Sequence, residues 1–271
     1  MVNNKSIRKH VEQTFGQIEK RIRLVAAAII MTALIVVSTF FFFDLFWVFI
    51  PVLSIVAYIC TYLAVLEDID NIEWSMLFLM PVLFTISFYV FYFLFPVRWI
   101  TRVPFMFMYG CSLYAILLTS NIFNVGVGKS LQLYRAAFSV NYFYQTIITF
   151  LLFNVLFSFK QSFIVNGIVC FIITLPLCFQ LLWTVRLKTY IETQVRNYSI
   201  FIAIIIAELV LLMSFVPVKS TILALFLTAC YYTLTGLVYN YIDNKLFRQT
   251  IREYAFVAGF VTLIVFLSIQ W

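Results

Sequence analysis

The stretch Ser199–Val216, SIFIAIIIAELVLLMSFV, is a run of apolar residues interrupted near its middle by a single acid, Glu208. A run of this length can cross the roughly 30 Å hydrocarbon core of a bilayer as an α-helix. A charged side chain at membrane depth costs roughly 2.5–3.5 kcal/mol on insertion scales, and such residues usually serve a function. The stretch therefore predicts a membrane helix and makes Glu208 the leading candidate for a functional residue.

The composition of the whole chain extends this prediction to the entire protein. Of the 271 residues, 64% are hydrophobic and 11% are charged, whereas soluble domains carry about 25% charged residues. Helices satisfy their own backbone groups in hydrocarbon, and the apolar runs here are continuous rather than alternating as in membrane barrels. We therefore expect an all-α integral membrane protein in which the lipid bilayer acts as solvent.

Nine apolar runs are long enough, or nearly long enough, to span a membrane. They predict a single transmembrane helical domain over residues 24–271, with the ninth span the shortest. The predicted spans are 24–43, 45–66, 75–96, 104–121, 136–158, 162–185, 198–216, 220–240 and 255–270.

Residues 1–23 are polar and basic, and their apolar residues recur at helical spacing from Ile7 to Ile22. This pattern predicts an amphipathic helix that lies on an anionic cytoplasmic leaflet before the first span. No nucleic-acid partner is expected, because the net charge of +7 is explained by topology.

The Lys and Arg residues are distributed asymmetrically between the two sides of the predicted spans. Arg98, Arg102, Lys160 and Lys219 fall on one side, and the rest of the 18 Lys and Arg residues fall on the side of the N-terminus. The positive-inside rule then predicts a cytoplasmic N-terminus and an outside C-terminus.

Polar residues in spans five and six are placed symmetrically about a turn near Lys160. Asn154 and Asn166 are each six residues from it, and Asn141 and Gln180 are about twenty residues from it. Equidistant residues in an antiparallel hairpin lie at similar depth, so we expect each pair to meet. Interhelical amide hydrogen bonds in membranes are worth about 0.6 kcal/mol on average, which favours a structural clamp.

A second interpretation of these amides is a path for a solute. Asn141, Gln145 and Gln180 would line such a path across the membrane. The sequence leaves both interpretations open.

Equal distances from a turn also predict partners for Glu208 on span eight. The turn near Val218 lies ten residues after Glu208, and Thr228 lies ten residues after that turn. We expect Glu208 to bond Thr228, Tyr231 or Tyr232. Two roles follow: a neutral acid that donates a structural hydrogen bond, or a proton or cation site in a transport path.

Catalytic and metal chemistry has little support in the sequence. The single histidine, His10, lies in the basic N-terminal segment, so neither a histidine metal centre nor a Ser-His triad can form. We expect no cofactor, no metal and no catalytic residue. The loop after span two is acidic, and its acids are Glu67, Asp68, Asp70 and Glu73. One interpretation is a divalent-cation site, because carboxylate oxygens suit such cations. The favoured interpretation is a solvated surface, or pairing with the basic N-terminal helix.

The segments Asn121–Val125 and Ser130–Ala137 resemble a stretch in uncharacterised polytopic membrane proteins of small-genome candidate-phyla bacteria, over about residues 65–185. The resemblance implies a bacterial cytoplasmic membrane and transfers no catalytic residue. It also makes the connection from Asn121 to Arg135, including Asn124, a candidate interaction site on the cytoplasmic face. The alternative for this connection is a capped span end with positive-inside charges.

Three classes of function remain open. The first is a non-enzymatic membrane scaffold or complex subunit, with protein partners or a homo-oligomer, which the short loops and aromatic packing surface favour. The second is a carrier of a small or lipophilic solute, with Glu208 as a protonatable intramembrane site. The third is a lipid-modifying membrane enzyme, for which no nucleophile or ligand set is visible.

Overall fold

The chain folds into long α-helices joined by short connections. The computed structural model describes residues 19–40, 45–65, 74–95, 98–125, 131–188 and 190–269. Within them lie α1 (Lys20–Phe40), α2 (Phe46–Val65), α3 (Trp74–Tyr92), α4 (Trp99–Val125), α5 (Leu131–Ser158), α6 (Phe163–Trp183), α7 (Thr193–Met213), α8 (Ser220–Ile242) and α9 (Arg248–Ser268).

The nine helices of the described ranges confirm the nine predicted spans, since each is long and apolar enough to cross a membrane. The protein is therefore a multi-pass membrane protein. The helix bounds differ most for α9, which begins at Arg248 instead of 255 and so reaches 21 residues. A helix is held by backbone hydrogen bonds, so its first turn can continue through polar residues that hydropathy excludes. The predicted N-terminal amphipathic helix falls largely on residues 1–18, outside the described ranges.

Contacts between Cα atoms divide the chain into two compact units. The first contains Met1–Tyr89 and Phe95–Val140, and the second contains Val90–Leu94 and Asn141–Trp271. The single transmembrane domain over 24–271 stays a prediction.

Aromatic rings fill the core of the first unit. Phe84 on α3 stacks on Tyr109 of α4 with ring centroids 5.6 Å apart, and Phe88 lies 4.1 Å from Phe105. The Tyr109 hydroxyl is buried and hydrogen-bonds Thr85 at 2.9 Å. The polar tip of each buried tyrosine needs such a partner, so this pair ties α3 to α4.

A buried arginine joins α4 to the end of α1. Arg102 donates from Nη2 to the Thr39 carbonyl oxygen at 3.5 Å, and its guanidinium lies 5.0 Å from the ring centroids of both Phe40 and Trp99. The last carbonyls of a helix lack intrahelical donors and carry partial negative charge. Arg102 therefore caps the C-terminus of α1.

A short turn and a glycine shape the packing of helices in the second unit. Between α5 and α6 the chain turns at Lys160, whose φ of 49° is left-handed, which confirms the predicted hairpin. On α8, a Cβ added at Gly236 would collide with the hydroxyls of Tyr142 and Tyr254. Glycine is therefore required there because two tyrosines approach the α8 backbone closely.

Candidate functional site

Gln145 on α5 is the centre of a buried polar network in the second unit. Its Nε2 donates to the Leu177 carbonyl oxygen at 2.9 Å and to Gln180 Oε1 at 2.6 Å. Its Oε1 accepts a hydrogen bond of 2.9 Å from the Tyr231 hydroxyl. One side chain on α5 thus bonds groups on both α6 and α8.

Asn141 extends the network by one turn of α5. Asn141 Nδ2 donates to Gln180 Oε1 at 3.1 Å, and Gln180 Nε2 donates back to Asn141 Oδ1 at 3.2 Å. This reciprocal pair confirms the predicted meeting of Asn141 and Gln180. Tyr231, predicted as a partner of Glu208, is instead part of this network.

The network is neutral and closed to the exterior. Asn141, Gln145, Gln180 and Tyr231 are between 0% and 3% exposed, and each side chain bonds another member. A buried polar group that keeps its partners costs little, whereas one that loses them costs about 1–3 kcal/mol. The arrangement can hold three helices in register, and it contains no carboxylate or amine to move a proton.

The second predicted amide pair does not form. Asn154 and Asn166 are both buried, but Asn166 Nδ2 donates to the Gln161 carbonyl oxygen at 3.3 Å. The Asn166 side-chain oxygen is buried without a hydrogen-bond partner in the described part of the chain. Equal depth in a hairpin does not make two side chains face each other, because the rotation of each helix also matters.

The prediction that Glu208 bonds span eight is wrong. Glu208 is exposed, and no hydrogen bond or ion pair joins it to any residue within the described ranges. Thr228 Oγ1 is buried without a hydrogen-bond partner among those residues. Tyr232 instead stacks on Tyr142 with centroids 4.7 Å apart.

The burial pattern of α7 explains where Glu208 points. Ile202, Ile206 and Val210 are 0% exposed and form the packed face. Glu208 lies on the opposite face, because it is two residues from both Ile206 and Val210. We define the α7 outer face as the exposed residues at spacings of three and four: Phe201, Ile204, Glu208, Leu212 and Phe215.

Glu208 is also deep along this helix. It lies five residues before the end of α7 at Met213, which is about 7.5 Å at a rise of ~1.5 Å per residue. Its exposed neighbours on the face are large and apolar, with Leu212 at 66% and Phe215 at 78% exposed. The α7 outer face is therefore an apolar strip with one ionisable group in its centre.

A tyrosine cluster on α5, α8 and α9 was missed by the sequence reasoning. The Tyr142 hydroxyl donates to the Tyr232 carbonyl oxygen, and the Tyr232 and Tyr254 ring centroids are 5.4 Å apart. Asn240 Nδ2 donates to the Gly236 carbonyl oxygen at 2.8 Å. Gly236, the one glycine in α8, was the available signal for this close packing.

The candidates at the α4–α5 connection lie at the ends of those helices. Asn121 is half-buried and its Oδ1 has no hydrogen-bond partner among the described residues, Asn124 is buried, and Arg135 is exposed. The Phe123 and Tyr134 rings are 6.0 Å apart and bring the two helix ends together. Residues 126–130 between them lie outside the described ranges.

The acidic loop cannot be placed in the same way. Glu67, Asp68, Asp70 and Glu73 all lie outside the described ranges, so the interpretations of this loop stay predictions. Elsewhere in the described chain, no group of three His, Cys, Asp or Glu side chains is arranged to hold a metal ion.

Comparison with known proteins gives a family without an assigned activity. No curated protein and no solved structure matches the chain. A family model described as a protein of unknown function, DUF5656, matches residues 44–268. The match covers α2 through α9 and so includes part of each compact unit. The chain therefore belongs to the DUF5656 family of proteins of unknown function.

Proposed function

We propose that the protein is a non-enzymatic subunit or scaffold of a membrane protein complex, and that a partner helix covers the α7 outer face. The exposure of Glu208 at membrane depth carries this proposal. A carboxyl group facing lipid has no water or donor to bond, and its insertion cost of roughly 2.5–3.5 kcal/mol would then be uncompensated. A helix that offers a donor at this depth removes the cost.

The chemistry of the face defines the partner. Phe201, Ile204, Leu212 and Phe215 recur at the spacing that packs one helix against another. Polar side chains such as Ser, Thr, Asn, Gln and His stabilise contacts between membrane helices by hydrogen bonding across them. The partner is therefore a transmembrane helix with a hydroxyl, amide or cationic side chain opposite Glu208.

A different protein fits this face better than a second copy of the chain. The α7 outer face contains no hydrogen-bond donor other than Glu208 itself. A symmetric dimer through the same face would offer Glu208 only a second Glu208 as partner, and two carboxylates at close range repel. A heteromeric complex avoids that repulsion.

A solute carrier is the alternative that this geometry supports less. A coupling carboxyl group must face a water-filled path, whereas Glu208 lies on the face opposite the packed side of α7. The amides expected to line a path bond one another instead. The proposed location is a bacterial cytoplasmic membrane with the N-terminus inside, following the charge asymmetry.

Copurification of Glu208 variants tests the proposal. The tagged protein is extracted from its native membrane in mild detergent, and stoichiometric partners are quantified by mass spectrometry. Glu208→Leu should lower the retained partner about tenfold, since an intramembrane hydrogen bond is worth about 1–2 kcal/mol in peptides and 1.4 kcal/mol is tenfold. Thr262→Leu replaces an exposed polar residue on α9 and should retain the partner.

The conservative variant identifies the donor. Glu208→Gln keeps an acceptor oxygen but cannot ionise. Retention of the partner by this variant indicates a neutral donor, and its loss indicates a cation. A wild-type protein that purifies alone, or a partner that Glu208→Leu retains, would contradict the proposal.

A further inference from the structure

An open groove runs between α1 and α4 in the first unit. Its volume is about 690 Å³, within the range of about 300–1,000 Å³ that is typical of small-molecule sites. Small side chains form it: Ala33 on α1, and Gly110 and Cys111 on α4, with Ile29 and Phe107 as walls. The helices approach so closely that a Cβ at Gly110 would lie 2.9 Å from Thr32 Oγ1.

The lining of the groove is suited to a hydrocarbon chain. The Thr32 hydroxyl already donates to the Ala28 carbonyl oxygen at 2.7 Å, and Tyr114 is the lining residue furthest along α4. The lining on α1 runs from Val25 to Val37, which is about 18 Å at ~1.5 Å per residue. One leaflet of the hydrocarbon core is about 15 Å thick, so an acyl chain from one leaflet matches the groove in length.

Two arginines precede the lining residues of α4 along the chain. Met106 and Gly110 line the groove, and the same row of α4, at intervals of four residues, continues outward to Arg102, while Arg98 directly precedes α4. Arg102 already contacts the end of α1, where it bonds the Thr39 carbonyl oxygen and lies over the Phe40 ring. Arg98 lies one turn further out and is exposed, beside an exposed Trp99, a residue type that favours the membrane interface.

We infer that this groove binds one acyl chain of an anionic phospholipid whose phosphate contacts Arg98. Arginine is suited to phosphate because its planar guanidinium can donate two parallel hydrogen bonds. A partner helix is a poorer occupant, since helices in membranes associate through polar contacts as well as small residues, and the Thr32 hydroxyl in the groove is already bonded to its own helix.

Native mass spectrometry of the purified full chain tests the inference with two probes, palmitoyl-oleoyl phosphatidylglycerol and palmitoyl-oleoyl phosphatidylcholine. The wild type should retain one phosphatidylglycerol with at least about fivefold preference over phosphatidylcholine. Ala33→Phe fills the groove from α1 and should abolish retention. Arg98→Gln should remove the preference for phosphatidylglycerol while leaving weak binding of both lipids.

Matched control variants distinguish loss of lipid binding in the groove from general effects of the substitutions. Ala136→Phe adds the same ring at an exposed alanine on α5, and Arg252→Gln removes an exposed arginine on α9; both should bind like the wild type. Cys111→Phe fills the groove from α4, and it replaces Ala33→Phe in the experiment if that variant does not fold. Equal retention of the two lipids by the wild type, or unchanged retention by a folded groove-filling variant, would overturn the inference.

Discussion

The Tyr231 hydroxyl donates a 2.9 Å hydrogen bond to Gln145 Oε1, and neither side chain is exposed. Because Gln145 also donates to Leu177 and Gln180, one amide joins α5 to two other helices. Replacing Gln145 by an apolar residue removes three hydrogen bonds, whereas replacing the Tyr231 hydroxyl removes one.

Gln145→Leu should therefore destabilise the protein more than Tyr231→Phe does. We expect a loss of about 1–3 kcal/mol for Gln145→Leu, since three hydrogen bonds are lost and the buried Tyr231 hydroxyl keeps its desolvation cost without this bond. Tyr231→Phe should cost about 0.6 kcal/mol, the average for interhelical hydrogen bonds in membranes. Unfolding in mixed micelles measures both values.

Gln132→Leu is the control for this comparison, because Gln132 is exposed on the same helix. It should change the unfolding free energy by less than about 0.5 kcal/mol. Equal effects of Gln145→Leu and Gln132→Leu would show that the network contributes nothing.

Double-mutant cycles should distinguish the two predicted amide pairs. Asn141→Ala and Gln180→Ala should couple by about 1 kcal/mol, since two reciprocal hydrogen bonds join these side chains. Asn154→Ala and Asn166→Ala should be additive, because no hydrogen bond joins that pair. Coupling of the second pair with additivity of the first would refute the observed hydrogen-bond pattern.

Gly236→Ala should weaken the packing of α9 on α8. The added Cβ collides with the Tyr142 and Tyr254 hydroxyls, and overpacking costs about 1–3 kcal/mol. Gly259→Ala on α9 is the matched control, because its Cβ would meet no atom within 4 Å. That control should be neutral or stabilise by up to about 1 kcal/mol through helix propensity. Both values come from thermal unfolding, and equal effects would argue against the tyrosine contact.

The loop before α7 should open at acidic pH. Glu192 accepts hydrogen bonds from Lys188 and from Arg186, the latter at 2.8 Å, and the Lys188 bond is the main cause that lowers the pKa of Glu192. A lowered pKa gives stability that is present above the ordinary carboxyl pKa and is lost as the pH falls through the lowered value.

Trp183 reports on this loop, since its Nε1 donates to the Lys188 carbonyl oxygen at 2.9 Å. The difference in emission between the wild type and Trp183→Phe should change on acidification. Glu192→Gln should give the acid-form emission already at neutral pH. Emission that does not depend on pH in the wild type would contradict the role of Glu192.

The sequence was sufficient for features that depend on depth in the membrane. Hydropathy gave the nine spans, and the turn at Lys160 brought Asn141 to the level of Gln180. Depth alone was insufficient for Asn154 and Asn166, because the angular position of each side chain decides whether two residues meet.

The direction of Glu208 could not be read from the sequence for a related reason. A soluble helix shows which side is buried through its polar face, but α7 is apolar both where it packs and where it is exposed, as Ile206 and Leu212 illustrate. Because α7 has no polar face, counting residues from the turn predicted the depth of Glu208 relative to α8. It did not predict the direction in which the side chain points. Only the packing of α7 in the folded unit supplied that direction.

Photo-cross-linking in native membranes tests the role of the α7 outer face most directly. A benzophenone amino acid replaces Leu212, one turn from Glu208, or Leu267 on α9, which is 74% exposed. We predict a discrete adduct with one other membrane protein from position 212, no such adduct from position 267, and loss of the adduct when Glu208→Leu is added. Three results would contradict the role of the α7 outer face as a partner site. They are adducts with lipid only from position 212, a cross-linked dimer of the chain itself, and an adduct that persists with Glu208→Leu.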